Sequence, residues 1–96
     1  MKPVLRHFAL ILSAGFFLAA CSGRVATPAG QECAEGLRIA NQELDDAKVK
    51  GFSGSIHWIK AAGLLTDASV HQQLEKFPSC TDKVRRARIY IREAGK

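Results

Sequence analysis

At 96 residues, the chain is long enough for one small domain and no more. A formal net charge of +5 is too small to argue for nucleic-acid binding, and so small a domain leaves little volume for an enclosed catalytic pocket.

The N-terminus carries Lys2 and Arg6, followed by an apolar stretch from Phe8 to about Ala20. About 13 residues do not span a bilayer, which takes about 20. The order of basic residues, short apolar run and small residues is that of a secretory signal. It ends in Leu18-Ala19-Ala20-Cys21, which resembles the lipobox of bacterial lipoproteins. The resemblance covers residues 1–21. It implies cleavage before Cys21, a diacylglyceryl group on its sulfur and, with Ser22 following, an outer-membrane address facing the periplasm. Several acyl chains on one cysteine anchor a protein stably without a membrane-spanning helix. The chain after cleavage has 76 residues and, without Lys2 and Arg6, a charge of about +3.

Residues 22–30 are small, polar and interrupted by Gly23, Pro28 and Gly30, with no repeating apolar face. They read as a flexible tether reaching up to roughly 30 Å. The expected organisation is a signal peptide over 1–20, a lipidated tether over 21–30 and a helical domain over 31–96.

The first helix is expected from about Gln31 to Lys50. Cys33, Leu37, Ala40, Leu44 and Ala47 recur at steps of four and three, one face of a helix. Asp46 and Lys50 are spaced for an ion pair, and Gly51 is a natural stop. Ser53 or Ser55 caps the second helix. That helix is expected to run to about Phe77, with Ile56, Ile59, Gly63, Val70, Leu74 and Phe77 along its core side. Trp58, Ala62 and Leu65 widen the stripe, and Leu65–Ala68 is where it would kink or break. Pro78 is expected to end the element. Ser79 then reads as the N-cap of a third helix, with Asp82 near its positive end. The third helix continues to about Ala94, showing Cys80, Val84, Ala87, Ile91 and Ala94 on one face.

The first and third helices echo one another: Cys33, Leu37, Ala40, Leu44 and Ala47 line up with Cys80, Val84, Ala87, Ile91 and Ala94. Two amphipathic helices given the same geometry explain this better than a duplication. The fold that follows is all-α, a small up-down-up three-helix bundle. Its first and third helices run parallel, so both cysteines lie at one end. With Cys21 taken by the lipid and export into an oxidising compartment, Cys33 and Cys80 are expected to pair. Such a bridge closes a loop of about 47 residues, worth roughly 4 kcal/mol in the chain-entropy description.

No pattern points to catalysis. Ser53, Ser55, Ser69 and Ser79 are explained as turn, cap or surface residues, and none sits in a strand–turn–helix elbow. Asp67, His71 and Glu75 form a ladder at i, i+4 and i+8, with His57 on the same side. That pattern reads first as a solvated charge ladder, and a small metal-binding domain using His57, Asp67 and His71 is the alternative. No metal or cofactor is therefore assigned. The basic C-terminal helix is the best candidate surface. Arg85, Arg86, Arg88 and Arg92, with Tyr90 among them, form a patch suited to carboxylate or phosphate groups. Phe52 and Trp58 flank the first turn at the same distal tip and read as candidate partner anchors or as caps of the core. The expected function is a non-catalytic, lipid-anchored envelope module that binds a protein or peptidoglycan. A structural or stress-related lipoprotein without a dedicated ligand is the rival.

Overall fold

The computed structural model describes residues 27–96, and the signal segment, Cys21 and the start of the tether lie outside them. Three helices follow in order: α1 over Pro28–Val49, α2 over Ile56–Gln73 and α3 over Phe77–Ala94.

α1 starts earlier than Gln31. The Thr27 hydroxyl accepts from the Gly30 N–H at 3.1 Å, and Pro28 occupies the first helical position. A proline there loses nothing, because that N–H has no partner within a helix. The stretch Pro28–Gly30, expected in the tether, therefore belongs to the helix. Asp46 and Lys50 meet through the backbone, Lys50 N–H donating to the Asp46 carbonyl at 3.1 Å, rather than as the expected ion pair. Ser55 is the cap of α2, its hydroxyl accepting from the Trp58 N–H at 3.1 Å. The helix runs unbroken through Thr66, whose hydroxyl donates to the Ala62 carbonyl at 3.1 Å. That bond lets a β-branched polar residue sit in a helix without leaving its hydroxyl unpaired.

The second junction corrects the expected boundary. α2 ends at Gln73, and Pro78 lies in the first turn of α3 instead of terminating α2. Ser79 is thus inside α3, and no side chain caps that helix. Both turns close in the same way. Phe52 N–H donates to Ala47 and Gly51 N–H to Lys48 after α1; Lys76 N–H donates to His71 and Glu75 N–H to Gln72 after α2. This pairing of six-to-one and five-to-two bonds needs a left-handed residue just past the helix. Gly51 supplies it at φ 92° and Glu75 at φ 58°. A side chain in that region costs about 1 kcal/mol, and glycine avoids it. A Cβ on Gly51 would meet nothing within 4 Å, so Gly51→Ala isolates the backbone cost. It is expected to destabilise the bundle by about 1 kcal/mol, and Glu75→Gly to stabilise it by a similar amount, both read by urea denaturation.

The core explains the echo between the outer helices. Cys33, Leu37, Ala40, Leu44 and Ala47 of α1, and Cys80, Val84, Ala87, Ile91 and Ala94 of α3, are all buried. Each pair is offset by the 47 residues that separate the bridged cysteines, the offset expected of two parallel helices in register. The Cys33–Cys80 disulfide is formed, with Cα atoms 5.7 Å apart. α1 and α3 approach closely beside it: a Cβ on Gly36 would lie 3.1 Å from Val84 Cγ1.

α2 is turned differently from expectation. Ala61, Leu65 and Ala68 face the core, with Trp58, Ala62 and Leu64 packed against its edge. Ile56, Ile59, Val70 and Leu74, expected inside, are 67%, 56%, 48% and 59% exposed. The seat offered by α1 and α3 is narrow, because the two helices approach closely beside the disulfide. Small residues fit that seat, whereas a stripe of branched side chains would hold α2 away from it. Trp58 fixes the rotation by donating its indole N–H to the Leu44 carbonyl of α1 at 3.0 Å.

Candidate functional site: an arginine stripe beside the α1–α3 groove

A shallow groove of about 290 Å³ runs between α1 and α3. Gly36 and Val84 line its narrowest part, and Glu32, Thr81, Arg85, Arg88 and Arg92 line the rest. The three arginines stand at i, i+3 and i+7 of α3, one stripe on the side facing α1. The helix that supplies them is amphipathic, with its apolar face fixed toward the disulfide, so their direction is set by core packing.

Each guanidinium has a different state. Arg88 reaches across to α1, its Nε donating to Glu43 Oε1 at 2.6 Å with a longer contact of 3.5 Å from Nη2 to Oε2. Arg85 pairs with Asp82 of its own helix. Arg92 makes no ion pair among the described residues. A guanidinium carries five N–H donors, so Arg85 and Arg88 keep donors free for a further acceptor. Arg92 also borders a second depression of about 230 Å³, shared with Phe52, Lys50 and Glu43 at the distal tip. The stripe therefore leads from the groove to the end of the bundle farthest from Cys33 and Cys80.

The residues expected to form one patch divide between two faces. Arg85, Arg88 and Arg92 share the α1 side. Arg86 and Tyr90 lie on the α2 side, lining a separate depression of about 220 Å³ with Lys60, Gly63, Leu64 and Asp67. There the Tyr90 ring stacks on His57 at 6.0 Å, and Lys60 Nζ lies 5.6 Å from the ring centroid. Arg86 stays at 4.0 Å from Asp82, the limit of an ion pair. Phe52 and Trp58 are half-buried and packed against the core. With its N–H already satisfied by Leu44, Trp58 has the geometry of a structural cap. Phe52 likewise packs under the end of α3, 3.9 Å from where a Cβ on Gly95 would stand.

His57, Asp67 and His71 are not gathered into one site. His57 is engaged with Tyr90, and His71 Nδ1 lies 2.5 Å from Ser79 Oγ, tying the α2–α3 turn together. Among the described residues no three His, Cys, Asp or Glu side chains converge as metal ligands would. On the outer face of α1, Arg38 hydrogen-bonds Glu35 through two nitrogens, and that bond holds the Glu35 carboxyl below its usual range. Arg38 is thus occupied locally and adds nothing to the groove. Glu43, the acid that positions Arg88, has no signal within its own helix. Only the parallel offset of α1 and α3 brings the two together.

Comparison of the chain with protein-family models, curated proteins and solved structures finds no match.

Proposed function

We propose that this chain is a non-catalytic module of the bacterial cell envelope. It is anchored through a lipid on Cys21 in the outer membrane, facing the periplasm, and binds an anionic partner through Arg85, Arg88 and Arg92. The observation that carries this reading is the unpaired Arg92, set in line with two arginines whose remaining donors border an open groove. Planar guanidinium forks at one-turn spacing suit carboxylates presented along a protein or a peptidoglycan strand. A disulfide-closed bundle on a tether fits an oxidising compartment close to a membrane. Lipid attachment keeps the module concentrated near its partner, so modest affinity at the stripe suffices.

In-cell crosslinking of the full-length chain, followed by mass spectrometry, identifies the partner. Charge reversal then tests the site. Arg92→Glu removes a side chain with no ion pair to break, so it is expected to lower partner recovery about tenfold, equivalent to about 1.4 kcal/mol, with unchanged helical circular dichroism. The triple variant Arg85→Glu, Arg88→Glu, Arg92→Glu abolishes recovery. Recovery unchanged in the triple variant removes the stripe as the binding surface. A structural lipoprotein with no dedicated ligand is the second reading, favoured by the internal pairing of Arg85 with Asp82 and Arg88 with Glu43.

A further inference from the structure

We propose that the outward stripe of α2 docks a second copy of this chain, α2 lying antiparallel on α2 across a two-fold axis. The stripe consists of Ile56, Ile59, Gly63, Thr66, Val70 and Leu74, all exposed, with its four large apolar members each about half or more in solvent. It runs the whole helix, about 27 Å at 1.5 Å per residue. Single exposed apolar residues need no explanation, but a continuous row of them does.

The row is symmetric about its own middle. A two-fold axis passing between Leu64 and Leu65 sets Ile59 against Val70 of the second copy and brings Ile56 within one residue's rise of its Leu74. Gly63 then faces its Thr66 at the crossing. Every large residue meets another large one, and the smallest residue lies near the axis, where the two backbones must come closest. Adding a Cβ to Gly63 would touch nothing within 4 Å of its own chain, so that approach is open. An interface in which one patch meets itself is the isologous kind that closes at two copies.

The flanking charges choose the orientation. Lys60 and Asp67 lie on the same flank of the stripe, one each, and Asp67 makes no ion pair among the described residues. In antiparallel packing like flanks face one another, so each Lys60 comes within a turn of the opposite Asp67. Parallel packing would set this flank against the opposite, uncharged one, leaving Lys60 and Asp67 without those partners. The same charges argue against a lipid surface as the occupant. A helix lying on an anionic bilayer carries lysines and arginines along its margins, whereas here Asp67 interrupts the positive charge that Lys60 and Arg86 bring to this margin.

The test uses two differently tagged full-length copies expressed together, with a photoreactive p-benzoylphenylalanine in place of Thr66. Irradiation of intact cells is expected to give a product carrying both tags, crosslinked to α2 of the second copy. Ile59→Glu, at an exposed position that leaves the fold intact, lowers its yield at least tenfold, as placing a charge in an apolar contact should. Lys60→Asp or Asp67→Lys alone also lowers it, and combining the two restores it. Arg92→Glu leaves it unchanged, which keeps this surface distinct from the arginine stripe. A product containing only lipid or a different protein, a doubly tagged product insensitive to Ile59→Glu, or failure of the combined reversal to restore the yield overturns the proposal.

Discussion

Replacing Cys33 and Cys80 together by alanine is expected to lower the stability of the bundle by about 4 kcal/mol or more. The bridge closes a 47-residue separation, and the entropy it removes from the unfolded chain accounts for about 4 kcal/mol. The two cysteines are also the largest fully buried side chains among the described residues, so alanine leaves unfilled space inside the core. A domain of this size has a total stability of only about 4–10 kcal/mol. The variant is therefore expected to lose most of its cooperative unfolding transition at physiological temperature. Far-UV circular dichroism against urea measures this. Reduction of the unaltered protein with dithiothreitol keeps both sulfurs in place, so it reports the loop-closure contribution alone. The further loss in the double alanine variant reports the cavity. Equal stability of the oxidised and reduced proteins would contradict a structural role for the bridge.

The second large effect is expected at Trp58. Trp58→Ala should destabilise the bundle by about 3 kcal/mol, the low end of the range for a large aromatic because the indole is only half-buried. Trp58→Phe keeps most of the packing and loses the bond to the Leu44 carbonyl, for about 1 kcal/mol. The two variants together separate packing from hydrogen bonding. They also decide between the two roles that the sequence allows this residue. A tryptophan held as a partner anchor costs little folding stability when removed, whereas one that locks the rotation of α2 costs several kcal/mol. Unfolding free energies that change by less than about 0.5 kcal/mol in both variants would return Trp58 to the binding surface.

Much of the fold was legible because the two outer helices carry one clear period each. Cys33 to Ala47 and Cys80 to Ala94 repeat at helical steps, and their shared offset implies parallel helices joined at their starts. α2 carries two apolar stripes, so its period alone does not fix which face is buried. Ile56, Ile59, Val70 and Leu74 are the more hydrophobic, and by hydropathy alone they belong inside. The narrow seat between α1 and α3 selects the smaller set, Ala61, Leu65 and Ala68. Shape decided a choice that periodicity left open. The boundary at Pro78 carries a related ambiguity. A proline either follows a helix or opens one, and here the left-handed Glu75 makes the turn four residues sooner than the expected end at Phe77 would place it.

The candidate site was legible in composition but not in layout. The arginines of α3 were visible as a cluster. Their division into an α1 side and an α2 side depends on which face of the helix is buried. Glu43 and Lys60, which engage Arg88 and Tyr90, lie 45 and 30 residues away in sequence and come near only through the packing of three helices. Conversely, Phe52 and Trp58 are prominent in the sequence because they are large and rare, yet both are used in closing the tip of the core.

The proposed function requires export, and the stability of the bundle requires the bond between Cys33 and Cys80. Peptide mapping of the unreduced protein, alkylated in intact cells before lysis, tests this most directly. The predicted result is one linked pair of peptides containing Cys33 and Cys80, neither alkylated, together with an N-terminal peptide that begins at a lipid-modified Cys21. Recovery of both thiols in alkylated form, on a chain that still carries residues 1–20, would contradict it.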